Sequence, residues 1–582
     1  MVFVALASLS YAFLYLVPAL SLSWLSRKAR FRWFQIAERY SAIVMVLTTS
    51  ITTLVLIGDL YLFKLYGFHM NGFVVNLVLS FGGVDSLGAS ETTVLTFLAV
   101  SVAILLIHAL LWYVIKSFSH RMNGLKLHLT PRFILLVVLV LMTERFAYGV
   151  AKFNAFSPVM VVANTIPFYK PTSIRSLAET FGFDMKRTAG VTIKDGGGVL
   201  NYPLRPLQIQ SNNQTPNIVW LVAESLRWDM LDSEIMPATW EFSQKNIRFE
   251  NHYSSGNGTR MGLFGMFYGL PGNYWFSFLN QRRSPIVVDR LHNLDYQLQM
   301  FTSARFTYPE FDKTLFSGVP ENNLHEFRDG KEWERDRHNV TQLLEFVSQR
   351  DKSRPFMTFM FFESPHARYH FPEESVIRQP YLQELNYATM DLGNDIGLIK
   401  NRYINASHHL DSQLARIIDY LTQNDLFRNT IVLITGDHGE EFMEAGRWGH
   451  NSQFTNEQIR VPFVLHVPGQ SPQIYSGMSS HLDIPAMLMP YLGITNPPDD
   501  YSVGKNLLAG ETRAHTIVAD WNKIAFVDPE YKLTLPMKTA GMFQTKARTS
   551  GNDELIDSSI DYKERAEALR LVLSESSNFY NR

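Results

Sequence analysis

Ile431-Val432-Leu433-Ile434-Thr435-Gly436-Asp437-His438-Gly439-Glu440 decides the fold. An unbroken apolar run of this length is the pattern of a strand buried on both faces, as in a parallel sheet covered by helices. The run meets an acid and an imidazole directly. The same grammar occurs at Asn217-Ile218-Val219-Trp220-Leu221-Val222-Ala223, which ends in Glu224. In open α/β sheets ligands bind beyond the carboxyl ends of the strands, so Glu224, Asp437 and His438 are expected on one edge, able to share a cation. Two more runs fit the same sheet: 356–362, leading into Glu363-Ser364-Pro365-His366, and 461–467, ending at Pro468-Gly469. Leu410, Leu414, Ile417, Ile418 and Leu421 give a helix-spaced apolar face suited to covering it. Strand and helix alternate, which predicts an α/β domain with a mostly parallel central sheet.

Ser254-Ser255-Gly256-Asn257-Gly258-Thr259-Arg260 precedes a second apolar run, Met261 to Tyr268. The glycines permit a tight approach, and the hydroxyl of Thr259 falls where a helix begins, at the positive end of its dipole. Each residue has an ordinary reading alone. Thr259 could be a helix cap, Glu224 a strand-end cap, Asp437-His438-Gly439 a turn, and His366 and His450 hydrogen-bonded or surface histidines. Together, two carboxylates, an imidazole and a hydroxyl would surround one divalent metal with nitrogen and oxygen ligands. A metal there lowers the pKa of the hydroxyl and neutralises phosphate oxygens during displacement.

A chain of 582 residues exceeds what one core supports. Hydrophobic residues reach 46% while mean hydropathy is only -0.05, an average over an oily part before about residue 150 and a polar remainder. The net charge of -1 supplies no basic field, so no nucleic-acid partner is expected. With no cysteine, disulfides, zinc-thiolate sites, cysteine nucleophiles and a formylglycine made from cysteine are all excluded.

Four membrane spans are predicted, at about 2–24, 41–63, 93–115 and 131–153. A cleaved signal peptide is the rival for the first, but it lacks a basic leading region. The fourth, broken by Glu144-Arg145, is the weakest. Lys and Arg accumulate on the cytoplasmic side of membranes. They fill the first loop (Arg27, Lys28, Arg30, Arg32, Arg39) and the third (Lys116, Arg121, Lys126, Arg132), while the second has only Lys64. Both termini of the membrane domain are therefore expected outside, and a missing first span would explain an outside N-terminus. Asp59 is an intramembrane acid and a functional candidate, expected at the interface near the outer end of its helix. Residues 154–215 read as a linker. Within it, Ser173 to Phe183 is expected to form a short helix, and Gly196-Gly197-Gly198 and Ser211 to Gln214 to be flexible. A catalytic domain is expected over 216–510 and a C-terminal subdomain of the same globule over 511–582. The latter should hold strands at 523–527 and 531–535 and a helix at 562–575.

Glu224, Gly258-Thr259, Asp437-His438-Gly439-Glu440 and Trp448-Gly449-His450 resemble the alkaline phosphatase and sulfatase superfamily, above all its membrane-anchored lipid phosphotransferases. The resemblance implies that Glu224, Thr259, Asp437 and His438 are metal ligands and Thr259 the nucleophile. It implies that His366 and His450 handle substrate phosphate and leaving group, with Asn257 and Arg260 contacting substrate. Ser480-His481-Leu482-Asp483-Ile484 matches a structural segment of that superfamily. One divalent metal is implied, zinc or manganese ahead of magnesium. Thr259 is followed by Arg260-Met261, not by the Pro and Arg of classical sulfatases.

Asp59-Leu60-Tyr61 to His69, Ile166-Pro167-Phe168-Tyr169 and the Ser254 to Gly269 segment are similar to the YejM/PbgA family of Gram-negative inner-membrane proteins. Members have five transmembrane helices and a periplasmic sulfatase-like domain, and are linked to cardiolipin and to control of lipopolysaccharide synthesis. This chain shows four spans and keeps the full ligand set. The implied substrate is a phospholipid or lipid A, with an inner-membrane protein as partner. The implied function is a metal-dependent hydrolase or phosphotransferase on lipid headgroups. The alternative is a largely non-catalytic lipid-binding regulator.

Overall fold

In this computed structural model the described residues are 2–28, 37–83, 90–121, 131–153, 157–172, 174, 180, 193, 196–210, 215–537, 546–556 and 562–581. They form two compact units, Met1–Asn71 with Glu91–Thr188, and Gly72–Ser90 with Ala189–Arg582. Most of the helix expected over Ser173 to Phe183, and all of Ser211 to Gln214, lie outside the described residues.

The first unit holds helices Val2–Lys28, Ala37–Tyr66, Glu91–Arg121 and Pro131–Phe153. Each contains an apolar stretch long enough to cross a membrane. The first packs on the second and fourth, and the second on the third. Asp59 is fully buried rather than interfacial. Its carboxylate lies 2.6 Å from His69 Nδ1 and accepts from the Met70 N–H at 2.6 Å, so pairing replaces the water it was expected to need. The Glu144-Arg145 pair that weakens the fourth span is partnered internally as well. Glu144 is ion-paired to Arg145 at 3.3 Å and accepts from Tyr169 Oη, and Arg145 donates to Tyr11 Oη at 2.8 Å.

The second unit is built on an eight-stranded sheet. Its strands are β1 (Asn217–Ala223), β2 (Ile247–Tyr253), β3 (Gln297–Thr302), β4 (Leu324–Glu326), β5 (Phe356–Phe362) and β6 (Thr430–Gly436). A two-strand hairpin follows, β7 (Glu441–Phe442) with β8 (Trp448–Gly449), and then β9 (Phe463–His466) and β10 (Gln473–Ser480) complete the main sheet. The spatial order is β10-β2-β9-β6-β1-β5-β3-β4. From β6 to β4 all neighbours are parallel. β9 runs antiparallel to both β6 and β2 and begins only after Pro462, whose missing N–H cannot join the ladder. Helix Leu392–Gln423 buries Leu410, Leu414, Ile417 and Leu421, with Ile418 half-buried beside them.

Register is what makes the site. Ala223, the last residue of β1, lies opposite Phe362 of β5 and Gly436 of β6. The three strands end level, so Glu224, Glu363 and Asp437 leave the sheet at one height.

Residues 196–210 belong to the same compact unit as the sheet. Gly196 and Gly198 are packed rather than loose, since a Cβ would stand 2.7 Å from Phe276 on the first and 2.4 Å from the Tyr580 ring on the second, and Asn201 N–H donates to Phe579 O at 2.9 Å. A second, antiparallel sheet joins β11 (Thr516–Ala519), β12 (Lys523–Val527), β13 (Tyr531–Pro536) and β14 (Lys546–Thr549). Helix Tyr562–Glu575 closes it with Ala568 and Val572.

Candidate functional site

Thr259 opens helix Thr259–Tyr268, which is buried from Arg260 to Tyr268. The cap residue is Gly258 and makes no side-chain cap, so the Thr259 hydroxyl is free of capping duty. That hydroxyl instead donates to Glu224 Oε1 at 3.1 Å and lies 3.2 Å from His438 Nε2. Two glycines allow this approach. A Cβ on Gly258 would stand 2.0 Å from Asn451 Oδ1, and one on Gly262 would stand 2.2 Å from the Asp437 carbonyl oxygen. The helix is thereby pressed onto the turn that follows β6.

Asp437 is fully buried. Its Oδ1 accepts from the N–H groups of Ser225 (2.9 Å) and His438 (2.8 Å), while Oδ2 has no hydrogen-bond partner. A buried carboxylate oxygen with nothing to bind is costly unless a cation completes it. His438 Nδ1 lies 2.8 Å from the Gly439 carbonyl, which only accepts, so Nδ1 carries the proton and the Nε2 lone pair faces Thr259 and Asp437 Oδ2 at 3.4 Å. Four ligand atoms around a zinc ion at ~2.0–2.1 Å lie about 3.3 Å apart. The separations of 3.1, 3.2 and 3.4 Å within this set match that spacing. Glu224, Thr259, Asp437 and His438 therefore fit one divalent ion. Glu224, Asp437 and His438 have ligand atoms all within 4.8 Å of one another, as do Glu224, Glu363 and His366.

Electrostatics agree. Burial pushes Glu224 and Asp437 well above the carboxylate range, with mutual repulsion adding to the shift in Asp437, and burial drives the His438 imidazole far below its usual value. Ser225, between Glu224 and the next turn, holds a left-handed φ of 61°, a strained backbone for a residue with a side chain.

His366 Nε2 lies 3.5 Å from Glu224 Oε1, and the His450 ring stands 4.3 Å from that of His438. Both expected histidines thus stand beside residues that touch Thr259. Asn257 and Arg260 are held elsewhere. The Asn257 amide donates to Gln453 O at 2.8 Å. The Arg260 guanidinium is 5.1 Å over Trp521, with Trp275 and Tyr308 each at 5.5 Å, and pairs with Glu310 at 3.0 Å. Two carboxylates, Glu363 and Glu440, have no role in the sequence reading. Glu363 is held by Arg335, and Glu440 links Tyr369 to His450. Glu363 carries the same strand-into-acid signature as Glu224, three residues before His366.

Residues 216–494 match the sulfatase family, and residues 6–209 match a domain of unknown function, DUF3413. The sulfatase match covers all eight strands of the main sheet together with Glu224, Thr259, Asp437 and His438. The chain is similar over most of its length to inner-membrane proteins named YejM. The Salmonella typhimurium protein of that name is 25% identical over 86% of this chain and 79% of its own. An uncharacterised protein of Haemophilus influenzae is 25% identical over 85% of this chain and 76% of its own. A solved structure of an alkaline phosphatase superfamily protein from Vibrio parahaemolyticus aligns with a TM-score of 0.49, at 15% identity over 67% of this chain and 94% of that one.

Proposed function

We propose that this chain is a metal-dependent phosphotransferase or phosphodiesterase acting on phospholipid or lipopolysaccharide headgroups, with its globular unit on the periplasmic side of the inner membrane. The observation that carries the reading is the Thr259 hydroxyl, half-buried at the start of a helix, between Glu224 Oε1 and His438 Nε2 and free of any capping role. A divalent ion held by Glu224, Thr259, Asp437 and His438, zinc or manganese ahead of magnesium, would stabilise the threonine oxygen and the phosphate charge.

The residues of the chain do the rest. Thr259 Oγ1, its proton lost to solvent on ionisation, attacks phosphorus. The bond from phosphorus to the lipid alkoxide breaks, and His366 or His450 supplies that alkoxide with a proton. An acceptor hydroxyl or water then attacks the phosphothreonine and restores Thr259. The N-terminus of the helix faces the anion throughout.

Purified full-length protein incubated with phospholipid vesicles should yield a phosphorylated Thr259 whose mass identifies the transferred group. Headgroup release that persists in Thr259→Ala would remove Thr259 as the nucleophile, and neither release nor adduct in the metal-loaded protein would leave the lipid-binding regulator.

A further inference from the structure

The segment joining the second and third membrane spans folds with the globular unit, not with the spans. Its helix Gly72–Leu79, Gly-Phe-Val-Val-Asn-Leu-Val-Leu, carries no charge. One face is engaged: Val74 and Leu77 are buried, the Phe73 ring meets Trp521 at 5.9 Å, and Asn76 Oδ1 accepts from Arg260 at 3.2 Å. Among the described residues the other face is exposed. Val75 is 46% exposed, Val78 54%, Leu79 79% and Phe81 77%.

Elsewhere among the described residues of this unit, exposed large apolar side chains stand singly: Val199, Ile209, Met443, Ile474 and Leu555. Single exposed residues are ordinary, whereas a contiguous apolar group marks a contact surface. Two observations say what covers it. Five residues separate Tyr66, the end of the second span, from Gly72. A fully extended linker of that length reaches about 20 Å, so the helix is leashed close to a membrane surface. At its rim the Arg305 guanidinium lies 5.5 Å over the Phe81 ring, a cation beside an apolar anchor, as in helices that lie at lipid headgroup level.

We propose that Gly72–Leu79 and Phe81 are seated in the outer-leaflet interface of the membrane that the chain spans. The globular unit thereby rests on lipid through this face. Asn76, on the engaged face, ties the same helix to Arg260, the residue after Thr259, so the nucleophile helix is fixed with respect to the headgroup layer. Resting on the function proposed above, the substrate class follows: a lipid still resident in the bilayer rather than a soluble phosphoester.

The chain contains no cysteine, so single labels are clean. Val78→Cys and Phe81→Cys, with Val199→Cys as the water-facing reference, are spin-labelled in the full chain. The chains are placed in nanodiscs of phosphatidylethanolamine and phosphatidylglycerol. Labels at 78 and 81 should favour collisions with oxygen over a nickel chelate several-fold relative to 199. Nickel access equal to that at 199 would show a solvent-facing patch and overturn the proposal. Exclusion of both reagents would show a protein cover, the chain's own helices or a second copy, and would also overturn it. The measurement needs no turnover and is repeated in a Thr259→Ala background, so it stands or falls separately from the chemistry.

Discussion

Glu440 Oε2 lies 2.7 Å from His450 Nδ1, and the other oxygen of Glu440 accepts from the Tyr369 hydroxyl. A carboxylate there fixes the proton on Nδ1 and turns the Nε2 of His450 to the site. Glu440→Gln keeps the shape and loses that bias. Its kcat on lipid substrate should fall by about 10–100-fold, the range typical of outer-shell partners, with little change in KM. Steady-state kinetics with vesicle substrate checks the split.

Thr259→Ala should lower turnover by about 10³-fold or more, as removal of a nucleophile does. It should leave thermal melting unchanged, because Gly258 is the cap and the hydroxyl contacts only Glu224 and His438 among the described residues. Thr259→Ser should retain the covalent adduct. Mass spectrometry and scanning calorimetry read the two effects independently.

Chelation should make stability depend on pH. Burial raises Glu224 and Asp437, and lifts Glu440 to about 7. A carboxyl whose folded pKa is raised favours the protonated fold, so its stabilising effect is complete below the unfolded value and is lost as pH rises through the folded one. Metal-free protein should lose stability between about pH 4.5 and 7 and beyond, by up to about 1.4 kcal/mol per pH unit for each proton. Zinc or manganese should raise the melting temperature and flatten the slope, and Asp437→Asn should abolish that rescue.

Asp483 and Arg513 are both buried and joined in a bidentate pair with Arg513 Nε at 3.0 and 2.9 Å from the two carboxylate oxygens. Asp483→Ala strands the guanidinium and should cost about 3–5 kcal/mol, read as a lower urea midpoint for the globular unit.

The sequence exposes the features that rest on local pattern. A strand buried on both faces must be apolar throughout, so Glu224 and Asp437 stand out as abrupt stops, and Gly258-Thr259 marks the helix start. Features set by distant partners are not visible there. Asp59 reads as interfacial until His69 and the Met70 amide are seen to satisfy it. The three rings and Glu310 that surround Arg260 lie far from it in sequence, and its place beside Thr259 gives no sign of them. The direction of β9 depends on which neighbours it joins, and apolarity alone does not carry that. Residues 72–83 lie in the loop between the second and third spans, yet group with the globular unit.

The level ends of β1, β5 and β6 also make the sheet a gauge of length. Deleting one residue from any of the three would draw its acid back by about 3.3 Å and turn it to the opposite face. These strands should therefore accept exchanges among Val, Ile and Leu while rejecting any change in residue count. In a library of variants, the position of the site would be recorded in the spacing of the chain as much as in the identity of its acids.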